Sequence, residues 1–164
     1  MSLLHLNIGS NQDRRKNIRL ALDQLHHSFN KITISSIFES PSEGFEGNDF
    51  YNVGVNVETH KSASEVIYIL HQIEDLLGRN RELPKFSSRI IDLDLVLYDD
   101  LIDEKLNIPR KDILKYAFVL APLFELNPEG IHPEKKVSYS SLWEDFKSNQ
   151  DFDLNKYNID KLYN

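Results

Sequence analysis

Residues 85–97 read K-F-S-S-R-I-I-D-L-D-L-V-L, and the second half of this stretch predicts a buried strand. Because side chains alternate along a strand, Asp92 and Asp94 share one face. The other face carries a continuous apolar stripe that suits a core, made of Ile91, Leu93, Leu95 and Leu97. Two neighbouring carboxylates on an apolar strand repel each other and lose hydration, so they need a cation. Two interpretations stay open from this motif alone: a Mg²⁺ site with Arg89 as a phosphate-binding neighbour, or a solvated strand end.

The order of elements around this strand predicts the fold class. Alternating apolar residues predict strands near 4–8, 32–38 and 51–58, and helical spacing predicts helices near 13–30 and 62–78. The order strand, helix, strand, strand, helix, strand matches an α+β fold, the ferredoxin-like βαββαβ sandwich, with both helices on one face of an antiparallel sheet. The opposite face would then carry four polar side chains together, those of Asn52, Asn56, Asp92 and Asp94.

Beyond residue 100 the pattern predicts a C-terminal extension. Residues 101–106 are expected to form a small strand or hairpin, and residues 141–147 a short helix. Residues 116–126 predict a helix that tolerates Pro122 if this proline lies in its first turn. The polar segment 148–164 is predicted to be a loosely ordered tail. At 164 residues, the chain 1–164 is expected to be one domain.

Composition excludes several classes of protein. A formal net charge of −7 argues against general nucleic-acid binding. The sequence contains no cysteine, which excludes disulfides and thiolate metal sites and favours an intracellular setting. It shows neither a signal-peptide pattern nor a long apolar run. We therefore expect a cytoplasmic protein without nucleic-acid or membrane partners, a monomer by preference, with a dimer left open.

Cations cluster next to the carboxylate strand in the sequence. Arg79, Arg81, Lys85 and Arg89 precede it, and Arg110 and Lys111 lie on a later loop that could reach the same place. Such cations beside Mg²⁺ suit a polyphosphate, although a solvated basic loop is the plainer alternative. The sequence has no G-x-x-x-x-G-K-[ST] loop, so side chains and metal would have to hold a nucleotide.

Other candidate residues are individually weak. His71 and Glu74 are three apart on a predicted helix and share a face, where they could contact a base or ribose, but a solvent-facing pair is favoured on these two residues alone. Phe50, Phe86 and Phe118 could sandwich a flat heterocycle, although a core position is favoured for each.

Several segments together resemble one enzyme family. They are I-G-S-N (8–11), S-P-S-E-G (40–44), F-Y-N-V-G-V-N-V-E-T (50–59), I-E-D-L-L-G-R (73–79), R-I-I-D-L-D-L-V-L-Y (89–98), I-P-R-K-D (108–112) and F-V-L-A-P-L-F-E-L-N-P (118–128). In this order they resemble the 6-hydroxymethyl-7,8-dihydropterin pyrophosphokinases of folate synthesis, and the likeness runs roughly from Leu4 to Glu129.

The resemblance implies a reaction and a set of site residues. The reaction is transfer of pyrophosphate from ATP to the pterin hydroxymethyl group, with release of AMP and with two Mg²⁺ ions bound by Asp92 and Asp94. Arg79 and Arg89 correspond to the arginines most associated with catalysis, and the loops 41–50 and 79–88 are implied to close over the substrates. The implied pterin pocket consists of Ser40, Pro41, Phe50, Asn52, Phe86 and Phe118, with Asn52 hydrogen-bonding the ring and Phe118 stacking on it. The residues implied around ATP are His71, Glu74, Arg81, Lys85, Arg89, Ile91, Arg110 and Lys111.

The chain departs from the family pattern at several of these positions. The departures are His71 for a common Gln, Lys85 for Arg, Phe86 for Trp, Ser87 for Gly, Arg110 for His and Tyr116 for Arg. Lysine lacks the two-pronged geometry of arginine, so phosphate contacts at Lys85 are expected to be weaker. Two other functions stay open: a non-catalytic ligand-binding module of the same shape, and a metal-dependent nucleotide-sugar transferase. Mg²⁺-independent ligand binding would favour the first, and preference for sugar nucleotides the second.

Overall fold

The computed structural model describes residues 1–42, 47–78 and 90–164. Within these ranges an antiparallel sheet has the strand order β4-β1-β3-β2-β5. Its strands are β1 (Ser2–Ser10), β2 (Lys31–Ser40), β3 (Phe50–Thr59), β4 (Asp92–Tyr98) and β5 (Asn155–Tyr157). The helices are α1 (Arg14–Ser28), α2 (Ala63–Leu76), α3 (Ala117–Leu126) and α4 (Tyr139–Asn149), with 3₁₀ turns at Lys111–Leu114 and Ile159–Leu162. None of the helices in the described ranges is long and apolar enough to span a bilayer.

Helices α1 and α2 cover the first face of the sheet. Both carry an apolar stripe at helical spacing, and these stripes bury the inward side chains of β1, β3 and β4 in one core. A capping box starts α2, in which the Ser62 hydroxyl accepts from the Glu65 N–H and the Glu65 carboxylate accepts from the Ser62 N–H. The predicted βαββαβ arrangement is confirmed, with both of its helices on one face.

The C-terminal extension covers part of the second face, where α3 lies against β2 and β3. A Cβ atom added at Gly54 would lie 2.7 Å from Pro122 Cβ and 2.8 Å from His5 Cε1, so only glycine allows this close approach. The condition stated for Pro122, a place in the first turn, is not met, because α3 begins at Ala117 and places Pro122 in its interior. The proline removes one helical hydrogen bond, and its packing against the bare backbone of Gly54 offsets that loss.

A β-bulge in β4 changes the face of one predicted core residue. The register between β1 and β4 shifts between His5 and Leu6, so Leu95 pairs with Leu6, whereas Leu97 pairs with His5. The expected unbroken stripe through Leu97 is therefore wrong. Leu97 and Val96 instead join the cluster beneath α3, on the opposite side of the sheet from Leu95.

The C-terminal segment predicted to be loosely ordered has regular structure. Strand β5 pairs with β2, and Leu162 is fully buried in the main core. Arg15 Nε and Arg19 Nη1 donate to the Leu162 carbonyl at 3.0 and 3.1 Å. The hairpin expected at residues 101–106 is reduced to one bridge between Asp103 and Ile108.

A buried histidine ties α3 to the sheet. His5 is 2% exposed, and its Nδ1 lies 2.8 Å from Asn56 Oδ1. Asn127, which ends α3, exchanges two hydrogen bonds with the Asn56 side chain, of 2.9 and 3.0 Å. An amide oxygen can only accept a hydrogen bond, so the His5 Nδ1 must be the donor in this contact. Burial lowers the pKa of His5 to about 4.

We predict that His5 makes the fold sensitive to acid. Its folded-state pKa lies below the ordinary value of 6.5, so the unfolded state binds more protons at pH between 4 and 6.5. The free energy of unfolding should therefore fall by up to about 3 kcal/mol as the pH drops from 7 to 4. Urea titrations at several pH values should show this loss in the wild type and lack it in His5→Gln.

The matched control is His60→Gln, since His60 is an exposed histidine at the end of β3. This control should keep the wild-type pH dependence. An equal pH dependence in His5→Gln and the wild type would contradict the buried, neutral state of His5.

Candidate active site

The pairing of β1 with two neighbours aligns polar residues in rows across the second face. Gly9 lies opposite both Asp92 and Asn52, and Asn7 lies opposite both Asp94 and Gly54. Directly opposed residues point to the same side of a sheet. The predicted common face of Asn52, Asp92 and Asp94 is therefore confirmed. Asn56 shares this face but is engaged beneath the end of α3.

Gly9 has no side chain, so the sheet surface between the carboxylates and Asn52 is open. We call this surface, the row Asp92–Gly9–Asn52, the floor of the site. A Cβ atom added at Gly9 would lie 3.5 Å from Asn52 Oδ1 and 3.7 Å from Phe50 Cδ1. The space directly above Gly9 is thus bordered by an amide oxygen and an aromatic ring on one side and by Asp92 on the other. The sequence analysis quoted Gly9 within I-G-S-N but missed it as a site residue, because a glycine adds no chemical group of its own.

Asn52 is held rigidly at the amide side of this floor. It is 2% exposed, and its Nδ2 donates to the Phe38 carbonyl at 3.0 Å and to Ser40 Oγ at 2.9 Å. The two donors of the amide are thereby used by the protein, which turns Oδ1 toward the space above Gly9. Ser40 is buried at the end of β2, and Pro41 next to it is exposed. Three residues predicted to contact one ligand are thus brought together.

Arg110 lies at the carboxylate side of the floor. Its Nη1 is 3.7 Å from Asp94 Oδ1, and its Nη2 is 3.1 Å from Asp112 Oδ2. The backbone N–H of Arg110 donates to the Val96 carbonyl at 3.0 Å, which ties this loop to the bulge of β4. The structure thus confirms that the loop reaches the carboxylates. Asp112 was missed by the sequence analysis.

The carboxylate pair carries unfavourable negative charge. Burial raises the pKa of Asp94 well above its usual value, and the negative charge of Asp92 raises it further, while Arg110 opposes the shift. The Asp94 side chain keeps 28% of its surface exposed, so a ligand can reach it. A hard divalent cation such as Mg²⁺ would relieve the repulsion and suits oxygen ligands. In the described part of the chain no three His, Cys, Asp or Glu side chains form a metal site by themselves.

Glu74 supports the carboxylate strand from the other layer. It is fully buried in α2, and its Oε2 accepts from the backbone N–H of Leu93, the residue between the two aspartates, at 2.8 Å. β4 is an edge strand, so this carboxylate takes the place of a missing neighbouring strand. The interpretation of His71 and Glu74 as a solvent-facing pair is wrong for Glu74, whereas His71 is exposed. Contact of either residue with ATP stays a prediction.

The position of Phe118 follows from the packing of α3 on β3. Pro122 lies over Gly54, and Phe118 is one turn earlier in the helix while Asn52 is two residues earlier in the strand. The end of α3 bonds to Asn56 through Asn127, so the helix and β3 run in the same direction. Four helical residues rise about 6 Å and two strand residues about 6.6 Å, and we infer from these rises that Phe118 lies near the level of Asn52. The Phe118 ring stacks on Tyr116 with centroids 4.9 Å apart. At position 116, where the family resemblance predicts an arginine, the chain has a tyrosine whose ring stacks on Phe118.

The remaining predicted residues are placed less informatively. Ile91 is fully buried in the main core, and Lys111 is exposed beside Arg110. The predictions for Arg79, Arg81, Lys85, Phe86 and Arg89 lie outside the described residues.

Comparison with known proteins identifies close sequence relatives. A sequence profile described as 7,8-dihydro-6-hydroxymethylpterin-pyrophosphokinase (HPPK) matches residues 5–128. The chain is 34% identical over 131 residues to a 2-amino-4-hydroxy-6-hydroxymethyldihydropteridine pyrophosphokinase of Bacillus subtilis, covering 76% of this chain and 78% of the relative. A protein of the same description from Aquifex aeolicus is 34% identical over 137 residues, covering 81% and 85% of the two chains.

Solved structures support the fold. The HPPK-DHPS triple mutant of Plasmodium falciparum, crystallised with SDX-DHP, superposes with a TM-score of 0.71 at 15% identity. The match covers 90% of this chain but 44% of that longer one, so the present chain spans less than half of it. At this identity the likeness concerns the fold alone.

We predict that Asp94→Asn stabilises the metal-free protein. The raised pKa of Asp94 means that its ionised form costs stability at pH 8, because burial and Asp92 outweigh the attraction of Arg110. In EDTA at pH 8 the variant should melt a few degrees above the wild type. Added Mg²⁺ should raise the Tm of the wild type by mass action and that of the variant much less.

Asp100→Asn is the control, because it removes an exposed carboxylate two residues beyond β4. It should change neither the Tm nor the response to Mg²⁺. A wild-type Mg²⁺ response in Asp94→Asn would rule out Asp94 as a cation ligand.

Proposed function

The chain belongs to the 7,8-dihydro-6-hydroxymethylpterin-pyrophosphokinase family, and from this premise we propose how its site performs the family's reaction. That reaction is the transfer of pyrophosphate from ATP to the hydroxymethyl group of 6-hydroxymethyl-7,8-dihydropterin, giving AMP and the pterin diphosphate in folate biosynthesis. The observation that carries the proposal is the row Asp92–Gly9–Asn52, which sets a carboxylate and an amide on either side of an open floor.

The carboxylate side of the floor is proposed to take ATP with two Mg²⁺ ions. Asp92 and Asp94 would hold the metal, which supplies charge neutralisation at the phosphate oxygens when bound. Arg110 pairs with Asp94 at 3.7 Å, a long contact that can be exchanged for one to a phosphate. The other residues assigned to ATP by family resemblance are His71, Glu74, Arg81, Lys85, Ile91 and Lys111.

The amide side of the floor is proposed to take the pterin. Asn52 Oδ1 would accept a hydrogen bond from a ring N–H, since none of the hydrogen bonds seen among the described residues uses this oxygen. Phe50 borders the floor, and Phe118 reaches the same level from α3, so the two rings can enclose a flat heterocycle. Ser40, Pro41 and Phe86 complete the proposed pocket.

The proposed chemistry is an in-line displacement. The pterin hydroxyl oxygen forms a bond to the β-phosphorus while the bond from that phosphorus to the oxygen retained by AMP breaks, and the hydroxyl proton is released to solvent. Arg79 and Arg89 are proposed to spread the charge that develops on the transferring group. Binding the two substrates on either side of one floor brings the hydroxyl next to the β-phosphorus, and this positioning supplies much of the rate.

We predict that the purified protein, Mg-ATP and 6-hydroxymethyl-7,8-dihydropterin yield AMP and the pterin diphosphate in equal amounts. Nucleotide products can be separated by ion-exchange chromatography and the pterin product identified by mass. Omission of the pterin should suppress AMP formation. Formation of ADP, or a rate independent of the pterin, would contradict the assignment.

We predict that Gly9→Ala impairs pterin binding without harming the fold. The added methyl would make ordinary contacts of 3.5 and 3.7 Å with its neighbours, so the Tm should stay within a degree or two of the wild type. It would, however, project into the floor that the pterin ring is proposed to occupy. The KM for the pterin should rise about tenfold or more, and the KM for ATP should change little.

An unchanged pterin KM in Gly9→Ala would show that the ring lies elsewhere. A large fall in Tm would show instead that the site has less room than the contacts indicate.

A further inference from the structure

Asn7 is a buried polar residue to which the proposed mechanism assigns no role. It is 6% exposed, and its Oδ1 has no hydrogen-bond partner within the described ranges 1–42, 47–78 and 90–164. A buried acceptor without a partner lowers stability, because its hydrogen bond to water is lost on folding and is not replaced. A bound ligand that interacts with Asn7 Oδ1 would compensate this loss of stability.

The sheet register places Asn7 beside the carboxylates. Asn7 lies directly opposite Asp94 on β4, and Asp92 follows on the same face. Directly opposed residues in an antiparallel pair have Cβ atoms about 5 Å apart, so the two side chains can reach the same atom. On its other side Asn7 faces Gly54, which has no side chain to turn toward it.

The charges around Asn7 select a cation over other ligands. Asp92 and Asp94 already place two carboxylates here, and the Arg110 guanidinium divides its contacts between Asp94 and Asp112. A third carboxylate would add repulsion, whereas an amide carbonyl adds an oxygen ligand at no cost in charge. Carbonyl and carboxylate oxygens are the donors that suit Mg²⁺ and Mn²⁺.

We propose that Asn7 Oδ1 is a third protein oxygen of the divalent-cation site formed by Asp92 and Asp94, contacting the ion or one of its water ligands. This inference rests on the proposed function, which assigns the two aspartates to the metal. In this proposal Asn7 increases the affinity of the site for the cation, while the two carboxylates supply the negative charge of the site.

The test is a titration of the metal-free protein with Mn²⁺, followed by water proton relaxation. Asn7→Ala should weaken Mn²⁺ binding about tenfold, the lower end of the range seen for supporting groups at metal sites. Asn7→Asp returns an oxygen to the same place and should restore or exceed the wild-type affinity. Thr33→Ala is the matched control, because Thr33 is an exposed residue at the far end of the same face and should leave binding unchanged.

The Tm in EDTA is a second measurement, because a ligand-binding role and a purely structural role of Asn7 predict opposite changes in it. Asn7→Ala removes an orphaned oxygen, so its Tm should rise by about 2–4 °C. A hydrogen bond of purely structural value would instead make the variant less stable. Wild-type Mn²⁺ affinity in Asn7→Ala, a lower Tm or failure to fold would each overturn the proposal.

Asp94→Asn in the same titration separates this inference from its premise. If Asp94→Asn loses Mn²⁺ affinity and Asn7→Ala does not, the metal assignment of the aspartates stands and the role of Asn7 is refuted. If Asp94→Asn binds Mn²⁺ as the wild type does, the metal assignment itself fails, and the role of Asn7 fails with it.

Discussion

Strand β1 is paired on both of its edges, with β3 on one side and β4 on the other, and the site depends on this double register. Gly9 brings Asp92 and Asn52 into one row although they are 40 residues apart in the sequence. Because side chains alternate with a period of two, a slip of one residue would turn these groups into the core and the core residues outward. The buried apolar face therefore holds the polar face in register, since exposing Leu6, Ile8 and their neighbours would cost far more than any single polar contact.

The carboxylate strand is supported from two sides by three contacts. Glu74 binds the N–H of Leu93 from the helical layer, Arg110 approaches Asp94 from the loop after β4, and the bulge at Val96 anchors that loop. Each support acts on the backbone or on the charge of the strand and leaves the space above Gly9 open. This arrangement tolerates like charges at close range because their neighbours fix the strand that bears them, and a cation can then relieve the repulsion.

The extension beyond the βαββαβ unit completes the site by closing part of the second face. Gly54 admits Pro122, and the chain of hydrogen bonds from His5 through Asn56 to Asn127 fixes the other end of α3. These two contacts fix the position of α3 along β3, and from this position we infer that Phe118 lies near the level of Asn52. The composition of α3, which carries little charge, therefore does not predict its function of positioning Phe118.

The sequence alone determined the features that follow from local periodicity and from motif order: the ferredoxin-like arrangement, the common face of Asp92, Asp94 and Asn52, and the family. The type of each element is a short-range property, because alternation along a strand and 3.6-residue spacing along a helix are visible in consecutive residues. The arrangement and the family were predicted from the order of these elements and motifs along the chain. Tertiary structure alone decided the switch of Leu97 to the other face, the burial of Glu74 behind the strand, the pairing of Arg110 with Asp94 and the orphaned oxygen of Asn7. Each of these depends on which distant segment packs against a given residue. The free energy of such a tertiary contact is set by packing and burial, which no single stretch of sequence determines.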